Sequence, residues 1–161
     1  MSSMMDLGLA ASEGLTIADL PPEVPGVRME LINGSLLVTP LGDVDHQLII
    51  MRLCRRLQPP DGLEVLPGVN VILNDATLLI PDVAVIDPQC IVRNGLGVSP
   101  SGLRLVVEVT SRSTRIHDLT AKRELYRQWC VPYVVIDRAD GQQVAQIGED
   151  LPSWARAAFQ G

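Results

Sequence analysis

Residues 103–110 read LRLVVEVT, a nearly unbroken β-branched and aliphatic run. A strand with no polar alternation has neither face in water, so this run predicts a central strand covered on both sides. Glu108 breaks the pattern. An ionised carboxylate buried there without a partner costs several kcal/mol, so something must compensate it. Alternation along the strand sets Glu108 on the same face as Val106 and Thr110, and its partner must reach that face from another element.

Downstream, the polar TSRSTRIHD leads into a helix expected over residues 116–129, with Leu119, Leu125, Tyr126 and Trp129 available for packing. Pro132 opens the strand YVVID, and Ala139-Asp140-Gly141 turns the chain into a last strand near residues 143–147. The closing EDLPSWARAAFQG predicts either a sheet shortened at one edge or a terminal helix. Upstream, LLIPDVAVIDP reads as strand following strand, with a further strand over residues 69–73 and a turn at Asn74-Asp75. Residues 91–101, rich in Gly, Ser and Asn, read as a loop.

Still earlier, MELINGSLLVTP joins two apolar stretches through Asn33-Gly34, a pair suited to the positive φ angles of a hairpin turn. Asp43 or Asp45 can then cap a helix with Leu48, Ile49, Leu53 and Leu57 at helical spacing and Arg52, Arg55 and Arg56 outward, ended by Pro59-Pro60-Asp61-Gly62. The order ββ, α, βββ, α, ββ predicts an α/β fold with a mixed central sheet flanked by helices. Residues 1–14 are expected to be flexible and residues 15–161 to form one domain.

Composition narrows the function. A chain of 161 residues with 47% apolar content can bury one core, and a net charge of −6 argues against a protein that coats nucleic acid non-specifically. Cys54, Cys90 and Cys130 stand singly, which suggests neither a disulfide framework nor a thiolate zinc site and fits a reducing cytoplasm. No segment approaches the about 18 apolar residues of a membrane helix, and the opening MSSMMDLGLAASEG has no basic start or apolar run, so a cytoplasmic protein is expected.

Two further acids can join Glu108. Asp82, behind Pro81 at the mouth of DVAVI, can stand beside a central strand, and Glu30 lies between Met29 and Leu31 in the hairpin. Three converging carboxylates repel one another unless a cation intervenes, and hard oxygen donors suit Mg²⁺ or Mn²⁺. Blander readings stand beside this one. Glu108 could pair with Arg104 or Arg115, Asp82 could simply form a turn, Glu30 could be an exposed strand-edge charge, and Lys122 could make a surface helix pair with Asp118. His46 and His117 lack metal-ligand spacing and stay outside the core site, while Ser111 and Ser113 read as helix caps rather than nucleophiles. Arg112, Arg115, Lys122, Arg123 and Arg127 outnumber Asp118 and Glu124 locally, a positive patch that could meet phosphates or be a solvated face.

Glu30 in MELINGSLLV, Pro81-Asp82 before VAVI, EVTSRS at residues 108–113, and the series Asp118, Lys122, Tyr126 together resemble the bacterial Uma-two family of endonucleases. That family belongs to the PD-(D/E)xK restriction-endonuclease-like superfamily, and the resemblance spans residues 30–137. It implies a restriction-endonuclease-like fold and Mg²⁺- or Mn²⁺-dependent cleavage of DNA. Asp82 and Glu108 would bind metal, Glu30 would be the additional acid, and Lys122 would be the catalytic lysine. The chain departs from the superfamily at Thr110, which occupies the usual lysine position; Lys122 matches a position on the following helix to which the lysine can migrate. Paired active sites in many nucleases of the superfamily imply a homodimer as one assembly. The competing expectation is a catalytically inactive module of the same fold with a regulatory or interaction role, motivated by Thr110, the acidic charge and the irregular C-terminus.

Overall fold

The computed structural model describes residues 14–110, 118–138, 144–147 and 150–160. The expected flexible segment, apart from Gly14, lies outside them, as do the turn Ala139-Asp140-Gly141 and the residues Ser111, Arg112, Ser113, Arg115 and His117. The fold is mixed α/β, built from two sheets rather than one. The first has the order β2 (Ser35–Pro40), β1 (Val27–Ile32), β5 (Thr77–Leu79), β4 (Val71–Asn74), β8 (Gly97–Val98), β7 (Ile91–Val92). The second has the order β11 (Val144–Ile147), β10 (Tyr133–Asp137), β9 (Leu103–Thr110), β6 (Val83–Ile86), β3 (Glu64–Pro67).

LRLVVEVT is central, as its composition demands. β9 lies between β10, parallel to it, and β6, antiparallel to it. One face of this sheet, bearing Val83, Val85, Leu105, Val107 and Val109, packs on helix α1 (Val44–Arg56) and on Ala155 and Ala158 near the C-terminus. The other face, bearing Ala84, Ile86, Val106 and Val135, packs on Leu125 and Tyr126 of helix α2 (Arg123–Gln128) and on Val71, Leu79 and Val98 of the first sheet. Each fully buried valine of β9 contributes about 1.5–3 kcal/mol, which is why neither face tolerates polar alternation.

Local signals explain the flanking elements. Asn33 and Gly34 take φ angles of 51° and 83°, forming the hairpin turn between β1 and β2. Asp43 caps α1 by accepting a 2.8 Å hydrogen bond from the His46 backbone N–H. The helix buries His46, Ile49, Ile50 and Leu53, whereas Leu48, expected in the core, faces out. The terminal segment takes its helical alternative, with α3 at Ser153–Arg156 continuing into a 3₁₀ turn. Residues 91–101 are not a plain loop: they form β7, β8 and 3₁₀ turns, tied to β4 by the Val98 N–H donating to the Asn70 carbonyl at 2.9 Å. Among the described residues, no helix is long and apolar enough to cross a membrane.

Candidate functional site

The two sheets meet where residues 80–82 leave β5 and enter β6. From β1, Arg28 and Glu30 project to the same side, because they are two residues apart on a strand. They clamp the connection: Arg28 Nη1 donates to the Ile80 carbonyl at 3.0 Å and to Asp82 Oδ1 at 2.9 Å, and the Ile80 N–H donates to Glu30 Oε1 at 2.6 Å. Glu30 is 1% exposed, so it is no strand-edge charge.

Asp82 precedes β6 directly, next to the Val83–Val107 pair of β6 and β9. Its Oδ2 accepts the Val109 N–H at 2.7 Å, capping β9 just past the end of its pairing with β6. His46 reaches the same oxygen from α1, with Nε2 at 3.4 Å from Oδ2 and 3.1 Å from the Val109 carbonyl. Gly42 makes room for it, since a Cβ at that position would collide with the imidazole ring. Burial alone would raise the Asp82 pKa, but His46, Arg28 and the Val109 N–H hold it below the usual carboxylate value. Burial alone would likewise lower that of Arg28, yet Asp82, with Glu30 and Glu108, raises it.

Glu108 finds its compensation in Lys122. A π-helical turn, Asp118–Lys122, runs into α2 and delivers Lys122 Nζ to within 2.9 Å of Glu30 Oε1 and 2.8 Å of Glu108 Oε1. Lys122 is 1% exposed and Glu108 4%, so this is a buried ionic triad and not a surface helix pair. One helical turn further, the Tyr126 hydroxyl donates to Glu108 Oε1 at 2.7 Å. Burial, followed by the charge and hydrogen bond of Glu108, pushes the Tyr126 phenol well above its ordinary pKa, so it remains a neutral donor. Of the two arginines considered as partners of Glu108, only Arg104 belongs to the described residues, and it pairs elsewhere, donating to Asp87 Oδ2 at 3.2 Å; Arg115 lies outside them. Thr110, in the expected lysine position, donates to the Ile136 carbonyl and Asp137 Oδ1, both at 3.3 Å.

Glu30, Glu108 and Lys122 therefore meet directly, whereas Asp82 is held alongside by Arg28 and His46. Among the described residues no group of three or more His, Cys, Asp or Glu side chains is arranged to hold a metal ion. Within the described structure the Lys122 ammonium and the Tyr126 hydroxyl both contact Glu108. The sequence analysis does not single out Arg28 and sets His46 outside the core site, yet both reach Asp82. Two signals were available: the two-residue spacing to Glu30 for one, and for the other the helical spacing of His46 with Ile49, Ile50 and Leu53, all on the buried face of α1. Of the basic patch, Arg127 pairs with Glu124 at 3.0 Å, and Arg123 donates to the Tyr133 hydroxyl at 3.2 Å.

Residues 16–155 match the model of the Uma2 family, described as "Putative restriction endonuclease". The chain belongs to the Uma2 family. A crystal structure described as a "putative nuclease belonging to DUF820" from Anabaena variabilis shares this fold with a TM-score of 0.57 at 18% identity, over 84% of this chain and 87% of that one. No curated protein matches the chain.

A pH effect follows from the Asp82 pair. The hydrogen bond to Asp82 raises the His46 pKa above its ordinary 6.5 more than burial lowers it. A group whose folded pKa is raised contributes stability that is complete below the unfolded value and lost as pH rises through the folded one. The melting temperature of His46→Gln in chelator is thus expected to lie furthest below that of this Uma2 protein under pH 6.5, the gap closing as pH rises beyond it. A gap independent of pH would show that His46 contributes no charge to Asp82.

Proposed function

We propose that this Uma2 protein is a metal-dependent endonuclease that hydrolyses phosphodiester bonds of DNA, with residues 15–161 as its single domain. The observation that carries the reading is the buried Lys122 ammonium held between Glu30 and Glu108 beside Asp82. The donor set is entirely carboxylate, which fits Mg²⁺ or Mn²⁺. Mg²⁺ needs only one or two protein carboxylates, since water and substrate phosphate complete its shell, so a three-residue cluster is not required.

Asp82 and Glu108, from adjacent antiparallel strands, are the residues that would hold the ion, with Glu30 as the additional acid. Bound there, the ion supplies Lewis acidity toward the phosphate and an activated water. Lys122 presents a fixed positive charge toward the site, suited to charge building on the phosphate oxygens. Its role depends on where the ammonium lies, and a lysine from the helix can serve as well as one from position 110. Tyr126 orients Glu108, while Arg28, His46 and the Val109 N–H orient Asp82. In the terms of the PD-(D/E)xK superfamily, Asp82 and Glu108 are its acids and Lys122 its displaced lysine.

The purified chain is expected to nick plasmid or linear DNA in Mn²⁺ or Mg²⁺, and Glu108→Gln to reduce cutting by at least about a hundredfold. Cleavage that persists in chelator, or that Glu108→Gln leaves unchanged, would refute the assignment. One observation favours the second reading, an inactive module: every acid of the set already has a protein cation beside it. Calorimetric titration separates the two, because a module with no need of metal would give no Mn²⁺ binding at millimolar concentration.

A further inference from the structure

Helix α1 is apolar on two opposite sides. Ile49, Ile50 and Leu53 are buried against the second sheet, whereas Val44, Leu48 and Met51 are 71%, 44% and 45% exposed. The exposed three follow i, i+4, i+7 spacing and form a single outward stripe, which Arg55 extends by one more turn. A globular domain gains nothing from placing a leucine, a methionine and a valine together in water, so the stripe calls for a cover.

The charges flanking the stripe say what fits. Asp45 stands in the first turn of α1, and Arg52 and Arg56, seven and eleven residues on, lie along the same flank towards the other end. An isologous contact requires a surface complementary to itself under a two-fold rotation. Antiparallel pairing meets that condition: it brings the acidic end of one flank onto the basic end of its counterpart. A parallel pairing about an axis along the helices would turn the two charged flanks to opposite sides of the seam and leave this complementarity unused. Asp45 is available for such a contact, since its side chain is 79% exposed and, among the described residues, its ion-pair contact to Arg138 is long at 3.8 Å.

We propose that α1 is a dimerisation helix, packing antiparallel against α1 of a second copy about an axis between Leu48 and Met51. In this register Leu48 of one copy lies on Met51 of the other, and Val44 packs along the aliphatic stem of the opposing Arg55. Asp45 faces the opposing Arg52 and Arg56. The helix is only about 20 Å long, so the seam is small and the dimer weak, forming at micromolar concentration and loosening with salt. Because the inner side of α1 holds His46 against Asp82, the pairing also yokes two candidate sites through one helix pair.

Sedimentation equilibrium on the full chain tests this directly. A concentration-dependent monomer–dimer equilibrium is expected, weakened about a hundredfold or more by Leu48→Glu, which forces a carboxylate into the seam. Asp45→Arg should weaken it by about tenfold, and combining that change with Arg52→Asp and Arg56→Asp should restore it, as a structural defect would not. All three positions are exposed, and circular dichroism checks that the variants fold. A wild type that stays monomeric at every concentration overturns the proposal, whatever else covers the stripe. So does a dimer indifferent to Leu48→Glu, or a charge reversal that fails to restore association.

Discussion

Lys122→Met is expected to lower the free energy of unfolding by about 3–5 kcal/mol and the melting temperature by roughly 6–20 °C. Methionine keeps much of the aliphatic stem, so packing changes little; what disappears is the ammonium that Glu30 Oε1 and Glu108 Oε1 share at 2.9 and 2.8 Å. Two buried carboxylates are then left facing each other, with Tyr126 and the Ile80 N–H as their remaining donors among the contacts described above. If that repulsion is the cause, adding Glu30→Gln and Glu108→Gln to Lys122→Met should recover part of the loss, a non-additivity that simple cavity formation would not produce. Under the nuclease reading the vacated place also suits a divalent cation. Mn²⁺ should therefore raise the melting temperature of Lys122→Met by more than it raises that of the wild type. A Lys122→Met protein as stable as the wild type in chelator would show that the triad contributes no net stability.

Much of this architecture is legible in the chain. The continuity of LRLVVEVT foretells a strand covered on both faces, and Asn33-Gly34 foretells a hairpin, because each depends on a few adjacent residues. The division into two sheets is not legible, since alternation tells which face a residue takes but not which strand lies beside it. β7 and β8 escape for a related reason: two-residue strands have no period to detect, and long-range contacts such as the Asn70 side-chain amide donating to the Leu96 carbonyl at 2.9 Å help hold them. The site divides in the same way. Glu108 advertises itself by breaking an apolar run, but Lys122 four residues after Asp118 looks like any exposed helix pair. Its burial is set by Glu30 on β1 and Glu108 on β9, neighbours that its own helix does not encode.

The charged groups at this junction also do structural work. Arg28 and Glu30 grip the chain where it passes from one sheet to the other, and Asp82 caps β9 while answering Arg28. Replacing such a network with apolar side chains of equal volume is often neutral for stability, whereas removing one member is costly. Under the nuclease reading, a full set of buried acids and cations at one point serves chemistry as well as stability.

Asp82→Asn is the sharpest probe of that link. The wild-type carboxylate accepts on both oxygens, from Arg28 on one side and from the Val109 N–H and His46 on the other. An amide of the same shape has one acceptor and one donor, so its NH₂ must face either the guanidinium or the N–H and imidazole. A donor is left against a donor whichever way it turns, and with the lost charge this is expected to cost about 3–5 kcal/mol at neutral pH. The cost should depend on pH. Because the folded Asp82 pKa lies below its ordinary 3.8, its charged form contributes stability that is present above that value and lost as pH falls through the folded pKa. The gap between wild type and Asp82→Asn should thus be widest near neutrality and narrow in acid, and urea titrations at a series of pH values measure it. Under the nuclease reading the variant also loses Mn²⁺ binding and at least about a hundredfold in DNA cleavage. If cleavage survives while stability falls, Asp82 is a strut that ties β6 to β9, and the ion must be held elsewhere.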